Sequence, residues 1–400
     1  MLTIESLTHL GLGRASDGRS LIARVLPGEE IDVAQDGTTR IVTPSVDRVS
    51  PPCRHFKTCG GCAMQHASDS FVAGWKQEIV QRALAAHGLT PDFRAIATSP
   101  AQSRRRAKFA GRRTKKGALV GFHGKASHTL IDVPDCQLVT PALLASFPAL
   151  QELTVIAASR KGEVDLTVTE TAHGPDVLVG TEKTLTPDLR VTLAALANAH
   201  GLSRLVWNDE PVVAINPPHQ DFGGTKVAPP PGAFLQATKA GEAALLAAVD
   251  EITDGAARII DLFAGCGTFT LPLAQRAEVH AVESEAAMLQ ALDRGWRSGR
   301  NLRRVTTETR DLFRRPLEPD ELAGFNAAVI DPPRAGAEAQ IDALARSDIK
   351  TIAMVSCNPV TFARDASVLI AAGFTLPWVQ VVDQFRWSPH VEIVSPFTRK

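Results

Sequence analysis

No tyrosine occurs in these 400 residues, and aromatic residues together make up only 5%. Any stacking on a nucleobase therefore falls to phenylalanine, tryptophan, histidine or arginine. No apolar run approaches the ~20 residues needed to span a bilayer, so no membrane-crossing helix is expected. The opening Met1-Leu-Thr-Ile-Glu-Ser6 lacks a basic stretch followed by an apolar one, so no secretory leader is expected and the cytoplasm is the expected compartment. Net charge is missing as well, with 43 Lys+Arg against 43 Asp+Glu. The total by itself favours no polyanionic partner. Cysteine is scarce, at six, and in a reducing compartment thiols read as ligands or catalysts before disulfides.

What the chain does carry is unevenly spread. Its length suits two or three domains, and a monomer with no membrane partner is the expectation. From Arg104 to Lys116 it bears Arg104, Arg105, Arg106, Lys108, Arg112, Arg113, Lys115 and Lys116 with no acidic residue. A second basic group comprises Arg294, Arg297, Arg300, Arg303 and Arg304. Local excess of this kind attracts a polyanion even in a neutral protein, although a short basic run taken alone is more often a solvated face.

Three regions follow from the patterning. Residues 1 to 48 alternate short apolar runs with Gly11-Leu-Gly13 and Pro27-Gly28, which predicts a small β-barrel. Residues 49 to 231 hold four cysteines and mixed strand signals such as Glu163–Val168 and Ser203–Trp207, as expected of an α+β domain. Pro229-Pro-Pro231 is a junction or an ordered loop. From 232 to 400, strand patterns at Arg258–Phe263, Glu278–Glu283, Val305–Thr309, Ala327–Asp331, Thr351–Ser356, Leu376–Asp383 and His390–Ser395 alternate mostly with helical ones. That alternation predicts an α/β fold with a Rossmann-like doubly wound sheet.

Open parallel sheets bind ligands beyond the carboxyl ends of their strands. Asp261-Leu-Phe-Ala-Gly-Cys-Gly-Thr268 is a strand running into a glycine-rich turn at that place. Glu283 ends the next strand, where a carboxylate can accept both hydroxyls of a ribose. Asp311 follows the third, where an acid can accept from an adenine amino group, and Asp331-Pro-Pro-Arg334 closes the fourth. The turn is too short for Gly-x-Gly-x-x-Gly, and no Gly-Lys-Ser/Thr string is present, so S-adenosylmethionine is expected over a dinucleotide or a nucleoside triphosphate. An αβ turn without a ligand is the plain alternative.

Cys357 follows the apolar strand and precedes Asn358-Pro359, so a helix N-terminus is expected to lower its pKa. A thiol beside a methyl-donor site suits methylation of a weak carbon nucleophile such as uracil C5, where addition at C6 makes C5 reactive. The base that then removes the C5 proton is expected to be Glu392, a carboxylate among apolar neighbours in His390-Val-Glu-Ile-Val394. Burying it there is costly unless it has a role. Asp331 can hydrogen-bond the substrate base or the methionine end of the cofactor.

Asp261–Thr268, Asp331-Pro-Pro-Arg-Ala-Gly336, Ser356-Cys-Asn-Pro359 and His390-Val-Glu392 together resemble the RNA 5-methyluridine methyltransferases. The resemblance covers nearly the whole chain. It implies Cys357 as nucleophile, Glu392 as base, and cofactor contacts from Gln236, Phe263, Thr268, Glu283, Asp311 and Asp331. It also implies RNA as partner, with large-subunit ribosomal RNA preferred and a tRNA T-loop uridine as the near alternative. The N-terminal region resembles the small RNA-binding barrel called TRAM.

Cys53, Cys59, Cys62 and Cys136 remain, the first three as Cys-x5-Cys-Gly-Gly-Cys. Four thiolates suit tetrahedral zinc or an iron–sulfur cluster. The resemblance favours a 4Fe-4S cluster, zinc being second, with the role of bracing the basic segment against RNA. Rival readings are a cytosine-C5 methyltransferase, an inactive RNA-binding module with a structural metal, and a redox protein.

Overall fold

The computed structural model describes residues 1–159 and 162–400. At the N-terminus, strands Leu2–Leu7, Leu12–Ala15, Leu21–Ala23, Glu30–Val33 and Thr39–Thr43 form one antiparallel sheet with Leu2–Leu7 at its centre. Register shifts at Ile4/Ser6 and Glu30/Ile31 curl it, as bulges do. Ile4, Ala15, Val25 and Ile31 fill the concave side. Gly13 is needed there, because a Cβ would come within 2.3 Å of Val25 Cγ2. The expected short strands are present, but the sheet is a half-barrel and not a closed barrel. Its edge strands, Leu21–Ala23 and Thr39–Thr43, do not pair with each other, and a three-residue edge extends only about 10 Å.

The central sheet has seven strands, with Arg106–Arg113 paired to Glu163–Thr169 in its middle. Phe109, Leu166, Val179, Leu205 and Trp207 meet Leu150, Leu153 and Leu193 from helices Phe147–Ala157 and Pro187–Ala199 in one core.

Toward the C-terminus the α/β expectation is met. The strands lie in the order Val305–Thr309, Glu278–Glu283, Arg258–Leu262, Ala327–Ile330, Thr351–Ser356, Glu392–Thr398, Trp378–Asp383. The first five run parallel and Glu392–Thr398 runs antiparallel to its neighbours. Alternate strand residues serve opposite faces. Ile260 and Leu262 pack with Ile341, Phe362 and Leu369 on one side. Ile259 and Val279 pack with Leu245, Val249 and Leu292 on the other.

Residues 69–98 belong spatially with this sheet, although they precede the central strands in sequence. Asp92–Phe93 and Ala97–Thr98 pair in parallel with Trp378–Asp383. Helix Asp69–Ala85 is capped by Ser68, which accepts from Phe71 N. It contributes Val80 and Leu84 to the core shared with Phe362. Its Lys76 is fully buried and donates to Asp383 and to the Phe385 carbonyl at 3.1 Å. Removing one partner of such a pair costs about 3–5 kcal/mol, since the other charge is left buried and unpaired. No helix among the described residues is long and apolar enough to cross a membrane.

Candidate active site

Parallel strands deliver their last residues to one edge of the sheet. Phe263, Glu283, Asp331 and Cys357 each follow a parallel strand directly or end it, so all four lie along the carboxyl edge. Glu392 reaches the same edge by the opposite route, as the first residue of an antiparallel strand. Ser356 pairs with Ile393, so the next step of that register sets Cys357 across from Glu392.

On the cofactor side the backbone turns sharply, with φ of 63° at Phe263, 55° at Gly265 and 93° at Gly267. Phe263 alone of the three has a Cβ to strain there. A Cβ at Gly267 would meet Leu292 at 2.9 Å, so the turn is closely packed as well as left-handed. Glu283 accepts from Gly265 N at 3.1 Å through Oε2 and from the Ser284 and Glu285 amides through Oε1. The carboxylate is thereby fixed against the turn and remains half-buried. Asp311 Oδ1 accepts from Phe313 N at 3.0 Å. The exposed Phe313 ring lies 5.5 Å from the half-buried Phe263 ring, and Phe313 is a residue that sequence reading missed. Thr268 is half-buried just past the turn. Asp261 is completely buried and accepts from Thr270 Oγ1, while its Oδ1 has no partner among the described residues. Burial pushes its carboxyl up to about 7.

The reacting side is acidic. Burial, then the nearby Glu392 and Asp331 carboxylates, push the half-buried Cys357 thiol up to about 12. The expected lowering by the helix N-terminus does not prevail. Asn358 caps helix Pro359–Ala371 by accepting from Val360 N, and Cys357 lies one residue outside that cap, facing two carboxylates. Glu392 is raised to about 8, first by burial and then by Asp331. Asp331 is raised to about 7 by desolvation, against a hydrogen bond from Gln236 Nε2 at 3.1 Å. Gln236 thus stands at the site, against Asp331. Gln384, which no motif signalled, joins it too, donating to Glu392 Oε2 at 2.9 Å.

The segment carrying Glu392 is held from outside the sheet. Ala63 N and Met64 N both donate to the Trp387 carbonyl, at 2.7 and 3.0 Å. Trp387 has φ of 59° and packs in the central core with Cys136, beside Cys59 and Cys62. The four N-terminal cysteines lie near enough that ionising one raises others, Cys62 being pushed up to about 12 chiefly by burial. Gly61 N donates to Cys59 Sγ at 3.4 Å and Leu138 N to Cys136 Sγ at 3.5 Å. Among the described residues no three His, Cys, Asp or Glu side chains stand in metal-holding geometry.

Part of the basic run works inward. Arg105 is buried, pairs with Glu242, and donates through Nε to the Gln236 carbonyl at 3.0 Å. Arg106 donates to the Gly232 carbonyl at 2.7 Å. These two brace the loop that brings Gln236 into the site. Lys108 and Arg112 pair with Asp165 and Glu163 across the sheet, leaving Arg113, Lys115 and Lys116 as the exposed end of the run.

Residues 229–399 match a family model described as tRNA (Uracil-5-)-methyltransferase. An uncharacterized RNA methyltransferase of Rhizobium meliloti is 42% identical over 395 residues, covering 96% of this chain and 95% of that protein. A 23S rRNA (uracil(1939)-C(5))-methyltransferase of Pectobacterium carotovorum is 32% identical, covering 99% of this chain and 93% of the relative. Among solved structures, the Pyrococcus abyssi tRNA (uracil-54, C5)-methyltransferase in complex with S-adenosyl-L-homocysteine has a TM-score of 0.77 at 20% identity. It covers 100% of this chain and 99% of that one, a likeness of fold.

Proposed function

The chain belongs to the RNA uracil-5-methyltransferase family, and we propose that it methylates C5 of one uridine in structured RNA, with large-subunit ribosomal RNA as substrate. S-adenosylmethionine supplies the methyl group. The observation that carries this reading is Cys357 across the strand register from Glu392, with Asp331 beside both. The Cys357 sulfur adds to uracil C6, and the resulting enolate makes C5 nucleophilic enough to take the methyl from the sulfonium. Glu392 then removes the C5 proton, the double bond reforms, and the sulfur leaves. Burial and then the two carboxylates hold the thiol protonated, and the positive charge of the bound cofactor would offset the carboxylates and so favour thiolate. Reaching Cys357 requires the target base to leave its stack.

Glu283 faces the ribose, Asp311 with the Phe263–Phe313 pair takes the adenine, Thr268 lines the turn, and Gln236 with Asp331 takes the methionine end or the uracil. The test is transfer of tritium from labelled S-adenosylmethionine to tRNA and ribosomal RNA from a strain lacking this protein. The expected product is 5-methyluridine in ribosomal RNA. Label in tRNA would keep the chemistry and change the substrate, 5-methylcytosine would remove the uracil assignment, and no label in either RNA would favour a binding protein.

For the cysteines we propose a 4Fe-4S cluster on Cys53, Cys59, Cys62 and Cys136. The donor set supports it: Cys59, Cys62 and Cys136 pack against one core, and two of these thiols receive backbone N–H donors of the kind that tune iron–sulfur clusters. Its role is structural, holding the 59–64 loop that grips Trp387. Protein purified without oxygen is expected to contain iron and labile sulfide in equal amounts. Zinc without sulfide would overturn the assignment.

A further inference from the structure

Gln384 is 2% exposed and lies between two groups assigned to the reaction. Its Oε1 accepts from the Ala237 backbone N–H at 2.8 Å. A backbone amide can only donate, so this contact sets which end of the side-chain amide is oxygen. Both Nε2 protons then point the other way, one to Gln236 Oε1 at 2.6 Å and one to Glu392 Oε2 at 2.9 Å. Because Gln236 Oε1 is thereby an acceptor, its own Nε2 faces Asp331 Oδ2, at 3.1 Å. One backbone N–H orients two amides and, through them, two carboxylates.

We propose that Gln384 is a positioning residue for the proton-removal step, reserving Oε2 of Glu392 as an acceptor so that Oε1 alone receives the C5 proton. The inference rests on the reading of Cys357 as nucleophile and Glu392 as base. Glu392 Oε1 has no hydrogen-bond partner among the described residues, whereas both Gln384 protons are committed. In the step itself the C5–H electron pair forms the C5–C6 double bond, the C6–S pair returns to Cys357 as thiolate, and the proton passes to Oε1. The titratable groups facing Glu392 are Asp331 from the fourth strand and Cys357 from the fifth. Both are acidic, so the Gln384 donor opposes the rise in the Glu392 pKa. With all three linking side chains at most 3% exposed, bulk water is poorly placed to replace a lost donor.

The test compares Gln384→Met, which keeps the length and removes the donor, with Glu392→Gln and the wild type. Turnover in Gln384→Met is expected to fall about 10²-fold, as for a mispositioned general base. The covalent protein–RNA adduct accumulates, and the acid limb of the pH–rate profile moves to higher pH. A merely structural role would lower turnover without moving that limb or building up adduct. If Gln384→Met does not fold, Gln384→Asn gives the same readout, since its amide ends one methylene short of Glu392. Adduct build-up in Glu392→Gln with wild-type rate and limb in the Gln384 variant would overturn this inference alone. Absence of adduct from Glu392→Gln would overturn the reading on which it rests.

Discussion

Cys357→Ala is expected to abolish methyl transfer, by at least about 10³-fold, while S-adenosylmethionine still binds. The loss is large because Cys266, the other thiol at the carboxyl edge, is buried within the glycine turn. Glu283 and Asp311 are held by backbone donors, and Asp331 accepts from Gln236. Folding should survive, because the thiol is half-buried and lies outside the cap of helix Pro359–Ala371. Deleting its one sulfur costs on the order of 1 kcal/mol. The measurement is tritium transfer alongside calorimetric cofactor binding. Methyl transfer within tenfold of the wild type by a variant that binds cofactor normally would end the covalent mechanism.

The second large effect is expected at Glu392. In Glu392→Gln the volume is kept and the Gln384 contact can be re-formed, but the base is gone. Addition to C6 and methylation proceed, elimination stalls, and the protein–RNA adduct persists on a denaturing gel. Turnover is expected to fall about 10²–10⁴-fold, the usual contribution of a general base. The pH dependence follows in sign from the raised pKa. A carboxyl pushed up to about 8 is largely protonated at neutral pH, so the wild-type rate climbs as pH rises toward 8, where the carboxylate forms. Asp331, raised to about 7, shares that titration, so the limb belongs to the pair. The Gln variant should lose the limb. A profile unchanged between wild type and Glu392→Gln, with no adduct, would remove Glu392 from the reaction.

Much of the C-terminal region was legible because its signals are local. The strand patterns at Glu278–Glu283, Val305–Thr309 and Thr351–Ser356 coincide with the strands of the structure. Helix Lys239–Ile252 starts at Thr238, whose side chain caps it by accepting from Gly241 N. Apolar alternation, a cap and a left-handed glycine turn are all decided within a few residues. Charge patterning was less informative. The Arg104–Lys116 run looks uniform in sequence, yet Arg105 and Arg106 turn inward to brace the Gln236 loop while Lys115 and Lys116 stay exposed. Whether an arginine meets solvent or a carbonyl is set by what packs above it.

The sequence by itself determined the α/β architecture, the glycine turn with its acids at strand ends, and a cysteine at the head of a helix, because each is a property of a short stretch of chain. Only the tertiary structure decided how they meet. The last strand runs antiparallel, so its first residue, Glu392, arrives at the edge where the parallel strands leave their last, and stands across from Cys357. Burial of the thiol and then the two carboxylates that converge on it reverse the pKa shift that the helix N-terminus alone would produce. The same convergence admits Gln384, which is paired to its partners 148 residues upstream at Gln236 and 8 downstream at Glu392. Electrostatics and hydrogen bonding act through space, and distances across a sheet are written in strand order and register, which no local stretch of sequence contains.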